Sequence, residues 1–253
     1  MGPTDIIAVA AFAGQCVEMQ SPTQSVLVVI PALNEVSTIG HVLEEIPYAV
    51  LGARGYNVRA VVIDNGSTDG TADVARQYGA EVILEHQRGK GFAVRRAFAD
   101  VAGDYIFLLD GDATYPAVHI PEMLTLLENG TDVVLGSRLA GVRAPGSISR
   151  FNVIGNTLLT VLACALFRTR TSDLCTGFWG FRGGVPPNLN LTARGFNIEA
   201  EMYAEVVRRG YRFGEVPIHY RRRPTPTKLR AVRDGWRIAR MLVRKRFESL
   251  GRD

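Results

Sequence analysis

FLLDGDATYP, residues 107–116, is the stretch on which the reading of this chain turns. An apolar run from Tyr105 to Leu109 stops at two aspartates separated by one glycine. In an extended chain residues i and i+2 point to the same side. Asp110 and Asp112 therefore aim two carboxylates at one point. At a strand end such a pair suits a hard divalent cation that takes oxygen ligands, and Gly111 leaves room for a ligand to approach the backbone. Asp-Gly is also ordinary turn chemistry, so the pair alone decides nothing.

The surroundings decide it. Val26–Ile30 and Val58–Ile63 are further continuous apolar runs, closed by Pro31 and Asp64. Helical spacing fills the gaps, over 36–53, 69–78, 90–102 and 122–128, with short strands at 81–84 and 132–135. Strands that are apolar throughout and alternate with helices predict a mostly parallel sheet covered by helices on both faces. Ligands of such sheets bind beyond the carboxyl ends of the strands. There the sequence places Pro31–Glu35, Asp64–Asp69 and Asp110–Pro116, all rich in polar groups. Gly66 permits a tight turn, and Ser67 or Asp69 is placed to cap the helix that follows. The second half reads as an apolar helix over 150–167, a loop from Asp173 feeding a short strand, a helix over 198–209, a strand over 216–220 and a last helix over 227–247.

Composition sets the limits. The chain has 253 residues, 47% hydrophobic and 21% charged, with a net charge of +4, ordinary values for a folded domain. Residues 1–24 read as a loosely ordered leader and 25–253 as a single domain. Cys16, Cys164 and Cys175 fit no metal knuckle or disulfide framework, and the four histidines are scattered. No segment reaches the roughly 20 apolar residues that span a bilayer. The unmatched cysteines read as those of a reducing compartment, and the expected location is cytoplasmic. His86-Gln87-Arg88-Gly89-Lys90-Gly91 opens a helix without P-loop spacing, and the dinucleotide G-x-G-x-x-G fingerprint is missing. Aromatic–basic RNA motifs and recognition helices are missing too, which argues against nucleic acid. A sugar nucleotidyltransferase on a related sheet would carry a glycine-rich loop after the first strand, where this chain has PALNE.

VVIPALNE (28–35), VVIDNGSTDGT (61–71), GKGFAVRRAF (89–98) and FLLDGDATYP, in that order and spacing, resemble a family 2 glycosyltransferase of the GT-A fold. DVVLGSR (132–138), SDLCTGFWGF (172–181) and GFNIEAEM (195–202) extend the likeness, which covers roughly 25–230. By pattern it resembles the dolichyl-phosphate mannose synthase-like enzymes, a polyprenyl-phosphate glycosyltransferase subgroup. The resemblance implies a GDP- or UDP-sugar donor, Mg2+ or Mn2+ as cofactor, and a polyprenyl phosphate acceptor. It implies a nucleotide-sugar-binding half at 25–137 and an acceptor-binding half at 138–253. Pro31, Leu33, Glu35, Asp64, Gly66 and Lys90 would belong to the nucleotide-sugar site, with Asp110, Gly111 and Asp112 as the metal and diphosphate loop. Arg138 would face the donor sugar or phosphates. Arg150, Arg222 and Lys228 would surround the phosphates, with Asp173 and Thr176 on the acceptor side. The chain departs from the family at Leu33, where an aromatic is usual, at Asn65, where a second acid is usual, and at Thr114, where a glutamine is common.

A phosphate acceptor is ionised near neutral pH, its second pKa being about 6, and needs no base; a hydroxyl acceptor needs one. Glu201, Glu199 and Asp173 are the carboxylates available for that alternative. Residues 221–253 hold 12 of the 29 Lys and Arg against three acids, Asp234, Glu248 and Asp253. Within them Arg230, Arg233, Arg237, Arg240 and Arg244 form one helical stripe and Leu229, Val232, Trp236, Ala239 and Val243 another. Such a basic amphipathic helix suits an anionic membrane surface, which would make the protein peripheral on the inner face of the cell membrane.

Overall fold

The computed structural model describes residues 24–225 and 231–248; residues 1–23 of the expected leader and the expectations for Lys228, Leu229 and Arg230 lie outside them. Three apolar runs form the centre of a seven-stranded sheet. β1 (Ser25–Ala32) pairs in parallel with β2 (Asn57–Asp64) and with β4 (Tyr105–Leu108), and β2 pairs in parallel with β3 (Glu81–Leu84). On the far side β5 (Val133–Arg143) pairs in parallel with β7 (Phe213–Tyr220). Between these two groups lies β6 (Trp179–Arg182), antiparallel to both β4 and β5. The order is β3-β2-β1-β4-β6-β5-β7.

β1 and β4 are buried almost throughout, because both faces of the sheet carry helices. One apolar cluster packs α4 (Lys90–Asp100), α7 (Ile198–Arg208) and α8 (Ala231–Phe247) on one face. The other packs α1 (Ile39–Glu44), α2 (Tyr48–Ala53), α3 (Thr71–Gln77) and α5 (Ile120–Glu128).

Three expectations change. The helix expected over 36–53 is two helices, broken at Pro47, since proline removes a donor and clashes with the preceding turn. The strand expected to end at Leu135 continues to Arg143 with a register shift between Ser137 and Val142. Here β5 leaves the core and becomes exposed, and residues 138–143, with an arginine at each end and Gly141 within, carry neither a continuous apolar run nor a clean alternation to mark a strand. α6 (Arg150–Phe167) is the one helix among the described residues long and apolar enough to cross a bilayer. It nevertheless docks on the domain through Thr160, whose hydroxyl accepts the Leu174 N–H, and through buried Ala163.

Candidate active site

The cleft at the carboxyl ends of β1, β2 and β4 has a volume of about 160 Å³ and is lined by Pro31, Leu33, Glu35, Asn65, Lys90, Asp110, Gly111, Asp112, Phe196 and Arg223, among others. Three loops meet there and are sewn together by hydrogen bonds. Asn34, at a positive φ of 51°, donates its N–H to Ser67 Oγ (2.9 Å) and accepts the Thr68 N–H on Oδ1 (2.9 Å). Asp69 accepts the N–H groups of Val36 and Thr71. Burial, which opposes ionisation, is outweighed by these bonds and that from the Thr71 hydroxyl, so the Asp69 pKa is lowered. Thr38 Oγ1 donates to Gly111 O at 2.7 Å. Asp64 is buried at the end of β2 and accepts the Ser67 N–H at 3.1 Å, closing the turn through Gly66, whose φ is 81°.

The Asp110/Asp112 loop is built for position. Asp112 Oδ1 accepts both the N–H (3.1 Å) and the hydroxyl (2.6 Å) of Thr114. These bonds hold Ala113 at φ 61°, a left-handed conformation that costs a non-glycine residue roughly 1–2 kcal/mol. Thr114, standing where a glutamine is common in the family, therefore orients Asp112. The Arg221 N–H donates to Thr114 O at 3.0 Å. That bond brings the end of β7 to the loop and delivers Arg223, whose guanidinium lies 3.1 Å from Asp112 Oδ2 and donates to Glu35 Oε1 at 2.7 Å.

Lys90 Nζ lies 2.5 Å from both Asp110 Oδ1 and Glu199 Oε1. Burial opposes the Lys90 charge, but Asp110 and Glu199 outweigh it and raise its pKa. Burial, and then the charge of Asp110, push the Asp112 carboxyl up. The site is thus two mutually repelling carboxylates, each with a cation beside it. Gly177 packs against them: a Cβ there would lie 2.5 Å from Asp110 Oδ2.

Several expected site residues have other partners. Asp173 is fully buried. It accepts Nε and Nη2 of Arg138, both at 2.7 Å, the Arg138 N–H at 3.0 Å and Asn156 Nδ2 at 2.6 Å. Burial would raise its pKa, but Arg138 and Asn156 lower it, and its carboxylate is saturated with hydrogen bonds. Arg138 stacks over Tyr220, 5.4 Å from the ring centroid. Thr176 is buried, donates to Gly136 O at 2.6 Å and accepts the Phe178 N–H at 3.3 Å. Glu201 is buried and accepts the N–H groups of Thr192 and Ala193 at 2.8 and 2.7 Å; it does not line the cleft. Arg150 is exposed at the start of α6. Arg222 is exposed, whereas its neighbour Arg223 reaches the carboxylates.

Two residues outside the expected set matter. Arg223 escapes a reading of the sequence because three consecutive arginines follow β7 and nothing local says which one turns inward. Asn65 Oδ1 accepts the Gly89 N–H at 2.7 Å, and its Nδ2 donates to Glu85 O and Gln87 O. It fixes the turn that carries Lys90, a role an acid could not fill as both donor and acceptor.

The model for glycosyl transferase family 2 matches residues 27–184, more than half of the chain. Glycosyltransferase AglJ of Haloferax volcanii is 36% identical over 224 residues, which cover 87% of this chain and 72% of that protein. The dolichyl-phosphate hexose transferase of the same organism is 33% identical over 222 residues, covering 88% and 94%. The crystal structure of glucosyl-3-phosphoglycerate synthase from Mycobacterium tuberculosis, in complex with Mn2+, UDP-glucose and phosphoglyceric acid, has a TM-score of 0.66 at 21% identity, covering 88% of this chain and 78% of that one; at that identity the likeness is one of fold. The chain belongs to glycosyl transferase family 2 and is a hexosyltransferase of the GT-A fold.

Proposed function

We propose that this protein transfers a hexose from a GDP- or UDP-sugar to a polyprenyl phosphate, with Mg2+ or Mn2+ held by Asp110 and Asp112. The observation that carries the reading is the pair of carboxylates facing one cleft with Lys90 and Arg223 beside them. Two hard oxygen donors fit either cation, and a divalent charge offsets the burial and the Asp110 repulsion that together raise the Asp112 pKa. When bound, the metal supplies charge stabilisation to the departing diphosphate. Pro31, Leu33, Glu35 and Asp64 hold the nucleoside in the 25–137 half. Lys90, while keeping Glu199, exchanges Asp110 for phosphate oxygens, Arg223 exchanges Asp112, and the two stabilise charge on the leaving group. Arg150, Arg222 and Lys228 attract the acceptor phosphate in the 138–253 half, which attacks opposite the leaving group and inverts the anomeric carbon.

A phosphate acceptor is favoured because the carboxylates that a hydroxyl acceptor would need are engaged elsewhere. Glu201 and Asp173 hold backbone and arginine, and Glu199 holds Lys90. The name of the Haloferax relative, a dolichyl-phosphate hexose transferase, supports the same class. A lipid acceptor also suits the exposed faces of two helices. α6 presents Phe151, Ile154, Leu158 and Val161 at spacings of three or four, and α8 presents Val232, Trp236 and Phe247. Arg233, Arg237, Arg240 and Arg244 are exposed on α8 as well. This combination fits an anionic lipid surface.

The test is a release assay. The protein, with Mn2+ or Mg2+ and a panel of nucleotide sugars, is incubated with and without a short polyprenyl phosphate. Free nucleotide that appears only with the lipid phosphate is expected. Release that depends instead on a hydroxyl compound overturns the acceptor assignment, and turnover undiminished by Asp112→Ala overturns the metal assignment.

A further inference from the structure

Lys245 is fully buried on α8, where a lysine is almost never found without partners. Its ammonium donates to Asn190 O at 2.8 Å and to Glu205 Oε1 at 3.0 Å, and lies 3.4 Å from Glu201 Oε1. Glu248 Oε2 is also at 3.4 Å. Glu201, equally buried, accepts the N–H groups of Thr192 and Ala193 and the Thr192 hydroxyl. The backbone around 190–193 is therefore gripped from one side by α7 and α8. Its other side lies against the start of α4. A Cβ on Gly91 would meet Ala193 O at 2.2 Å, and one on Gly89 would meet Arg194 O at 2.1 Å. That same turn places Lys90 on Asp110 and Glu199, and Phe196 lines the cleft a few residues further on.

We propose that Lys245 and Glu201 are positioning residues for the donor cleft. Their buried charge cluster holds the 190–196 segment against Gly89 and Gly91, and so sets where Lys90 meets Asp110. The C-terminal helix is thereby coupled to donor binding although none of its described residues lines the cleft. The kinetic part of this inference rests on reading the cleft as the nucleotide-sugar site.

The experiment compares full-length Lys245→Met and Glu201→Gln with Leu124→Ala. Leu124 is buried in α5 in the apolar cluster on the other face of the sheet, so its truncation reports general destabilisation. Two readouts are taken at equal distance below each melting temperature. The first is hydrogen exchange at the amides of Thr192, Ala193 and Phe92, which is expected to accelerate in Lys245→Met and not in Leu124→Ala. The second is the split between KM and kcat. Lys245→Met is expected to raise the donor KM about tenfold with kcat little changed, the signature of lost binding common to ground and transition states. Glu201→Gln, which keeps the shape and an acceptor, is expected to fall between it and the wild type. Exchange that accelerates equally in the Leu124 control, or a donor KM that Lys245→Met leaves unchanged, overturns the proposal. Should the wild type turn over none of the nucleotide sugars, the proposed function falls, and the exchange experiment still decides the positioning. Should Lys245→Met not fold, Lys245→Arg replaces it, with the same expectations at smaller amplitude.

Discussion

Replacing Asp173 by Asn separates a structural carboxylate from a catalytic one. Asp173 receives four hydrogen bonds, three of them from Arg138, whose side chain is 12% exposed while that of Asp173 is 0% exposed. Asn keeps the shape but removes the charge, leaving the guanidinium buried without its counterion. Breaking one side of a buried pair costs about 3–5 kcal/mol. For a domain of this size about 1 kcal/mol corresponds to roughly 2–4 °C, so the melting temperature is expected to fall by roughly 6–20 °C. Thermal and urea denaturation of the two proteins measure this. The pH dependence gives a second reading. Burial raises the Asp173 pKa and the Arg138 pair outweighs it, so the folded-state value lies below the unfolded one. Its stabilising contribution is then complete above the ordinary carboxylate range and lost as pH falls through the lowered value. The acid limb of the stability curve should flatten in Asp173→Asn. A variant that melts like the wild type but has lost turnover would refute the structural assignment and return Asp173 to the chemistry.

Four other substitutions probe the site and the surface. Arg223→Ala is expected to weaken Mn2+-dependent nucleotide-sugar binding about tenfold or more by calorimetry, since charged hydrogen bonds contribute about 1.5–3 kcal/mol, while Arg222→Ala changes it by less than Arg223→Ala does; the reverse order would place the other arginine in the cleft. Gly177→Ala is expected to leave the melting temperature within a few degrees, because its Cβ meets the end of a side chain, yet to weaken the same binding by moving Asp110. Trp236→Ser, at a position 73% exposed, is expected to reduce co-sedimentation with anionic vesicles without altering the melting temperature; unchanged co-sedimentation would remove α8 from the membrane contact.

The βα alternation was legible because buried parallel strands are continuous apolar runs, and Val26–Ile30, Val58–Ile63 and Tyr105–Leu109 are unmistakable. Asp110 and Asp112 were legible as candidates because two acids follow an apolar run at once; both line the cleft, although β4 ends at Leu108 and a turn rather than a strand period brings them there. What the sequence concealed is tertiary. Arg222 and Arg223 are indistinguishable until the Arg221–Thr114 bond fixes how the chain leaves β7. Glu201 and Lys245 look like parts of exposed charged helix faces, and their burial depends on the docking of α8 on α7. The antiparallel course of β6 is also invisible locally, since Trp179–Arg182 is too short to carry a pattern.

That reversed strand has a consequence for how such a protein can diversify. Because β6 runs against β4, the segment entering β6 arrives at the rim that β4 leaves, and Gly177 comes to lie beside Asp110. Residues 168–172 precede this rim as a short connection between α6 and the Asp173 loop. Thr171 and Ser172 are tied to Glu215 of β7, so only the exposed positions before them, Arg168 and Arg170, can be lengthened or exchanged while every strand keeps its register. That short stretch beside the rim can therefore vary as an interchangeable cassette, with the carboxylate pair inherited unchanged.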